Sequence, residues 1–137
     1  MDMVLLIGRI LFGALFLGSA VGHLTQSDSM APYAASKGVP AAKQAVIGTG
    51  LMLVLGGLSV ILGIWGDLGA LLLFLFLLPT AVIMHNFWKE TDPQAKQMEM
   101  IQFNKDIGLA GAALAFMWVF SIDPALTLTE SLFDLGN

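Results

Sequence analysis

Four long apolar runs fill most of this chain, at residues 3–22, 45–65, 68–87 and 107–122. A helix needs roughly 20 residues to cross a hydrocarbon core of about 30 Å, and the last run reaches that length only if its helix begins earlier. In lipid every backbone N–H and C=O needs an internal partner, so such runs form either helices or a closed barrel. Barrel strands alternate in polarity, and these runs do not. The sequence therefore predicts an all-α integral membrane four-helix bundle.

The predicted helices cover about residues 3–24, 41–65, 67–89 and 100–122, within a single domain over 1–137. Loop 1 joins the first two helices (residues 25–40), and loop 3 joins the last two (residues 91–106). We expect short surface helices in loop 1, over residues 29–36, and in loop 3, from Pro93 onward. Pro79 is expected to kink the third helix because proline removes a ladder hydrogen bond. The tail, residues 123–137, mixes leucines with polar groups and is predicted to lie on the membrane surface, with a short helix capped by Ser121 or Asp123.

The composition narrows the possible functions. Charged residues make up 12% of the chain, against about 25% in a typical soluble domain. No basic patch is large enough for nucleic acid. The chain has no cysteine, which excludes disulfides and thiolate metal sites. Two histidines without clustered carboxylates make a poor zinc site. The sequence requires no cofactor, and any redox role must use a bound cofactor, a quinone or a partner subunit.

Small residues are placed where helices can approach one another closely. Gly18 and Gly22 form a GxxxG match on the first helix, and further glycines follow on the second and fourth. Such faces allow close helix packing in lipid. We interpret the motif as packing inside one bundle, with a homo-oligomer as the alternative.

Helix order places the polar ends of all four predicted helices at one membrane face. That polar layer contains His23, Tyr33, Lys43, His85, Trp88, Gln102, Asn104, Lys105 and Asp106. Arg9 and Asp67 lie toward the opposite face, where we predict an ion pair that offsets the cost of a charge within a span.

Three interpretations of the polar layer remain open. In one, His23, His85 and Lys105 bind a quinone head group or a small anion, beside an aromatic wall at Trp88. In another the two histidines ligate haem, although nothing in their spacing selects it. In the third the histidines cap helix ends and the lysines extend toward water.

Four segments resemble the DoxX family of membrane proteins. They are residues 9–17 (RILFGALFL), 33–40 (YAASKGVP), 85–88 (HNFW) and 102–105 (QFNK), and the resemblance extends over about residues 5–120. It implies a four-helix bundle in the bacterial cytoplasmic (inner) membrane. Members of the wider family have been linked to thiosulfate:quinone oxidoreduction and to oxidoreductase complexes that resist oxidative stress.

The two indications of membrane orientation disagree. Five lysines lie on the side of loops 1 and 3, which by the positive-inside rule places those loops in the cytoplasm. The resemblance leads us to expect a basic pair in the turn between helices 2 and 3, which would place the termini there instead. This chain has Gly66 and Asp67 at that turn.

We expect a small membrane subunit of an oxidoreductase assembly that interacts with quinone. His85 and Lys105 would hold the head group, His23 would relay a proton and Trp88 would form a wall, with Tyr33 and Asn104 in the same pocket. The expected partners are lipid and either other membrane subunits or further copies of the chain. The alternatives are a non-catalytic assembly subunit and, less favoured, a small-solute carrier, since no inverted repeat is evident.

Overall fold

A computed structural model describes residues 2–122 and 124–135. The helices are α1 (Asp2–Thr25), α2 (Ser27–Ser36), α3 (Ala42–Leu62), α4 (Gly66–Met84) and α5 (Pro93–Ser121). A short 3-10 turn, Phe87–Lys89, follows α4. No strand occurs in the described ranges.

The four long helices pack as antiparallel neighbours in the order α1, α3, α4, α5. The α1–α3 interface shows this direction at both of its ends: Arg9 contacts Val60 near one end of α1, and His23 contacts Val46 near the other. Phe12 packs against Phe116 with tilted rings, whose centroids are 4.9 Å apart, and brings α1 against α5. The helices enclose a core of phenylalanine, leucine, valine and alanine side chains.

The outer surface of the bundle is apolar. Leu11 is 70% exposed, Leu55 62% and Trp118 52%. A water-soluble bundle rarely exposes so many large apolar groups, whereas lipid accommodates them. Among the described residues, three segments are long and apolar enough to cross a membrane: Asp2–Thr25, Ala42–Leu62 and Gly66–Lys89. The predicted fourth span falls within α5, whose first half is polar.

Glycines mediate the closest helix contacts, but they are not the pair expected from the sequence. A Cβ on Gly13 would lie 2.8 Å from the carbonyl oxygen of Gly57, so α1 and α3 nearly touch through their backbones. In contrast, a Cβ on Gly18 or Gly22 would meet nothing within 4 Å. The prediction that this GxxxG pair packs inside the bundle is therefore wrong: its side of α1 faces outward.

The helix ends differ from prediction where local chemistry stops a helix. The second long helix ends at Leu62 rather than near residue 65, because Gly63 adopts a left-handed conformation with φ 65°. Ser59 then donates to the carbonyl oxygens of Ile64 and Trp65 and closes the turn. The third ends at Met84 rather than near residue 89.

The two polar segments that connect the long apolar runs are also helical over much of their length. α5 begins at Pro93, where Asp92 caps it by accepting from the Ala95 N–H, and runs unbroken to Ser121. The helix in loop 1 begins at Ser27 rather than at residue 29, and Pro32 lies inside it.

The tail packs against the end of the bundle formed by the α3–α4 turn. The N–H groups of Leu128 and Thr129 donate to the Gly63 carbonyl, and the Trp65 N–H donates to the Thr129 hydroxyl. Residues 124–135 contain no helix, so the predicted short tail helix is absent there. Asp123, one of its two expected caps, lies outside the described residues, as do Met1, Gly136 and Asn137.

Candidate functional site

A cavity of about 510 Å³ lies between the end of α1, helix α2, the start of α3 and the end of α4. We call it the histidine cavity, because the side chains of both histidines of the chain line it. Its walls are otherwise mainly alanine, valine, leucine, methionine and phenylalanine. Its lining residues with polar side chains are His23, Ser29, Tyr33, Thr49, Thr80 and His85.

His23 is held against α3. Its Nδ1 lies 3.0 Å from the Thr49 hydroxyl and 3.2 Å from the Val46 carbonyl oxygen. Gly50 makes this approach possible, since a Cβ there would lie 2.9 Å from the His23 Cβ. On the α4 side the imidazole meets the edge of Phe76, with ring centroids 5.9 Å apart. The ring is thus fixed on two sides.

His85 faces two carboxylates of α5. Its Nδ1 lies 2.8 Å from Oε2 of Glu99, and its Nε2 lies 3.6 Å from Oδ2 of Asp106. These carboxylates are seven positions apart, two helical turns, so they share one face of α5. The imidazole therefore joins the end of α4 to α5 at the mouth of the bundle.

Tyr33 extends the same network to α2. Its hydroxyl donates to Oε1 of Glu99 at 2.6 Å and lies 3.3 Å from the Met84 carbonyl oxygen. Burial raises the pKa of Tyr33 above its usual value, and the Glu99 carboxylate raises it further. Burial alone would raise the pKa of Glu99, but hydrogen bonds from Tyr33 and His85, with the charges of His85 and Lys37, bring it below its ordinary value.

Lys37 closes the outer side of this network. Its ammonium group donates to Oδ1 of Asn86 at 2.9 Å and to Oε1 of Glu90 at 3.2 Å. It also lies 5.5 Å from the centre of the Tyr33 ring. The Asn86 side chain is buried and so needs such a partner. These contacts hold α2 against the segment that follows α4, over the histidine cavity.

The structure brings together three of the residues proposed from the sequence and leaves three outside. His23, His85 and Tyr33 line one cavity. Asn104 and Lys105 are exposed on α5, and Lys105 donates to Gln102 at 2.5 Å. Trp88 packs edge-on against Phe87 and Phe103 and is 49% exposed.

Two predicted roles are therefore corrected. Lys105 cannot hold a ligand in the histidine cavity, because its side chain lies on the outer surface of α5. Trp88 does not form the aromatic wall. Phe76, on α4, lines the cavity instead. The order of the helices placed these residues at the correct end of the bundle. It did not determine which side chains point into the cavity and which point outward.

Glu99 and Lys37 were missed as site residues, and Asp106 was noted only as a neighbour of Lys105. The available signal was the spacing of Glu99 and Asp106, which places two carboxylates on one helix face. Among the described residues, no group of three or more metal-ligating side chains is arranged to hold a metal ion.

At the opposite end of the bundle, the predicted ion pair between Arg9 and Asp67 does not form. Arg9 is fully buried and donates to three carbonyl oxygens, those of Val60, Ile61 and Leu126, at 2.7–2.8 Å. Its guanidinium also lies 5.3 Å from the centre of the Phe120 ring. Backbone oxygens at the end of α3 and in the tail therefore take the place of a carboxylate.

Asp67 is occupied by the tail instead. Its Oδ2 accepts from the N–H groups of Leu132 and Phe133, both at 2.6 Å, while Oδ1 is buried without a partner. Arg9 and Asp67 thus each bind a different part of the tail, and together they fix it over the α3–α4 turn.

Long apolar helices, an apolar outer surface and a partly polar cavity at one end define a multi-pass helical membrane protein. The sequence profile of the DoxX family matches residues 4–86. The chain is also 33% identical over 111 residues to "Inner membrane protein YphA" of Escherichia coli (strain K12), an alignment that covers 81% of this chain and 79% of that protein. The chain belongs to the DoxX family, as its sequence motifs indicated, and is a multi-pass protein of the bacterial inner membrane. No solved structure matches it.

Proposed function

We propose that this protein is a four-span subunit of an inner-membrane oxidoreductase assembly and that its histidine cavity binds the ring of a quinone or quinol. The observation that carries the proposal is the placement of both histidines on one largely apolar cavity. Small-molecule sites typically occupy about 300–1,000 Å³ and combine apolar walls with a few polar groups. The histidine cavity has that size and that composition.

A fourth span is part of this proposal. The apolar half of α5, from Ile107 onward, packs along α4 and buries Ala110 and Ala113 against the core. Leu114 and Trp118 point outward and are about half exposed. The apolar half alone is shorter than the roughly 20 residues of a full span, so the turn containing Asn104 and Lys105 would lie in the headgroup region.

The residues around the cavity suit proton exchange with a bound ring. Interconversion of quinone and quinol moves two electrons and two protons. The chain lacks cysteine, and a redox partner subunit would exchange the electrons with the bound ring. His85 lines the cavity and contacts the partly exposed Glu99 on one side and the buried Asp106 on the other, so these titratable groups suit proton exchange with water by way of Glu99.

Filling the cavity tests the proposal. Ala45 lines the cavity, whereas a Cβ on Gly48, on the same helix, would meet nothing within 4 Å. We expect Ala45→Phe to lower the quinone content of protein purified gently from membranes, measured by solvent extraction and mass spectrometry. Gly48→Phe, the matched control, should retain the wild-type content. Equal content in both variants, or none in the wild type, would remove the proposal.

A non-catalytic assembly subunit is the second candidate, favoured by the outward glycines. Gly18 and Gly22 on α1 and Gly108 and Gly111 on α5 all face open space. Small exposed faces suit close contact with another membrane helix. Gly18→Leu should then reduce co-purification of partner subunits or the size of a homo-oligomer, with Leu11→Val as a control on the outer face of the same helix. Unchanged composition in native mass spectrometry would exclude the α1 face as the interface.

A further inference from the structure

We infer that the histidine cavity recognises the hydroxyl-bearing, reduced form of its ligand, and that His23 is the residue that selects it by accepting a hydrogen bond. The inference rests on the proposed function and adds to it a chemical form of the ligand. Most of the polar groups around the cavity already have hydrogen-bond partners, and those that remain free are mainly acceptors.

The contacts of His23 determine which of its nitrogens carries the proton. The Thr49 hydroxyl lies 2.8 Å from the Ala45 carbonyl oxygen and 3.0 Å from that of Val46, so its proton is directed to the α3 backbone. The Thr49 oxygen and the Val46 carbonyl are thus both acceptors toward Nδ1 of His23. Neutral His23 therefore carries its proton on Nδ1, which leaves a lone pair on Nε2.

Nε2 of His23 is also available. Within the described part of the chain, the hydrogen bonds of the His23 ring are made by Nδ1, and Nε2 makes none. Since His23 lines the cavity, Nε2 presents an acceptor that a ligand can reach.

A second acceptor comes from the break in the α4 hydrogen-bond ladder. Pro79 has no N–H to donate to the carbonyl of Leu75, four residues earlier. Both Leu75 and Pro79 line the cavity. The stretch of α4 that forms this wall therefore includes a backbone oxygen without its usual helical donor, and we take that oxygen as the second acceptor beside the imidazole lone pair.

The donors that line the cavity are mostly directed elsewhere. The Tyr33 hydroxyl donates to Glu99 and the Ser29 hydroxyl donates to the Gln26 carbonyl. Nδ1 of His85 faces Glu99, and its Nε2 is turned to Asp106 at 3.6 Å. Thr80 is the remaining hydroxyl, and a hydroxyl can either donate or accept. A quinone, which has only carbonyl oxygens, finds few free donors, whereas a quinol supplies two O–H groups to two acceptors.

The test compares three probes on the purified protein in nanodiscs: a decyl-chain benzoquinone, its quinol kept reduced without oxygen, and the dimethyl ether of that quinol. Equilibrium binding should be about tenfold tighter for the quinol than for the other two, the ratio expected for about one net hydrogen bond. The ether has the shape of the quinol but no O–H, so it tests the inference in the wild-type protein even if a variant fails to fold.

Two variants assign the preference to a residue. His23→Phe keeps a ring but removes the acceptor, and it should bring the quinol to quinone ratio toward one. Lys105→Ala, on the outer surface of α5, should leave the ratio unchanged. Equal binding of all three probes by the wild type, or an unchanged ratio in His23→Phe, overturns the inference but not the proposed function. Absence of binding by every probe overturns both.

Discussion

Tyr33 donates a 2.6 Å hydrogen bond to Glu99 across 66 positions of sequence and thereby joins α2 to α5. The other carboxylate oxygen of Glu99 lies 2.8 Å from Nδ1 of His85. One carboxylate therefore connects α2, the end of α4 and α5. This junction forms the outer boundary of the histidine cavity. The ionisation of the Tyr33 phenol can be measured directly, because Tyr33 is the only tyrosine of the chain.

The phenol of Tyr33 should resist ionisation in alkali. Burial first, and then the Glu99 carboxylate, raises its pKa above the usual value of 10. A titration followed by phenolate absorbance reports this residue alone, and circular dichroism establishes that the protein is still folded. We expect no phenolate at pH 10 in the wild type and earlier ionisation in Glu99→Gln. Glu130→Gln, near the other end of the bundle, should match the wild type. Ionisation near pH 10 in the folded wild type would contradict the described junction.

The Glu99 junction should also make stability depend on pH in acid. The pKa of Glu99 is lower in the folded protein than its ordinary value of 4.5. Stability from such a group is complete above the unfolded pKa and is lost as the pH falls through the folded pKa. Glu99→Gln should therefore lower Tm at neutral pH, and the difference from the wild type should shrink below pH 4.5. A difference that stays constant down to pH 2.5 would show that the charge of Glu99 does not contribute.

The sequence predicted the helical class, the approximate helices and the end of the bundle at which the polar residues gather, because apolar length and helix order determine these features. The site was harder to predict. The sequence placed Glu99 in a surface helix starting at Pro93 and began the fourth long helix near residue 100, whereas a single helix, α5, covers both segments and gives Glu99 and Asp106 one face. Lys105 was assigned to the pocket although each residue along a helix turns the side chain by about 100°.

The hydrogen-bond partners of Arg9 were also not predictable from the sequence. The search for an opposite charge led to Asp67, whereas three backbone oxygens satisfy the guanidinium. Those oxygens became available because α3 ends at Leu62, just before Gly63, and because the tail folds back. Neither event is visible as a charge in the sequence. The preference of buried polar groups for any suitable partner, rather than for a counter-ion, explains the difference.

Removal of Arg9 should release the tail and destabilise the bundle. Arg9→Met leaves the carbonyls of Val60, Ile61 and Leu126 without their charged donor. Hydrogen bonds to charged groups contribute about 1.5–3 kcal/mol each, so the loss of even two of the three should cost at least about 3 kcal/mol. Limited proteolysis should then cleave within residues 124–135 faster than in the wild type. Lys105→Ala should not change the cleavage rate, and equal protection in Arg9→Met would contradict the tail contacts.

Two glycines on α1 should respond oppositely to the same substitution. Gly13→Ala places a Cβ 2.8 Å from the Gly57 carbonyl oxygen, a backbone atom that moves only with α3. Overpacking of this kind costs about 1–3 kcal/mol. Gly18→Ala adds its methyl to open space and should be neutral or stabilising by up to about 1 kcal/mol, because alanine favours the helix. Thermal unfolding in detergent measures both, and a destabilised Gly18→Ala beside an unaffected Gly13→Ala would contradict the α1–α3 packing.

Photolabelling with an azido-quinone tests most directly whether the histidine cavity is a quinone site. The proposal predicts that mass spectrometry finds the label on cavity residues such as Met30 or Met52, that excess unlabelled quinone prevents labelling, and that Ala45→Phe removes it. Labelling confined to lipid-facing residues such as Leu58 or Trp118, and undiminished by unlabelled quinone, would contradict it.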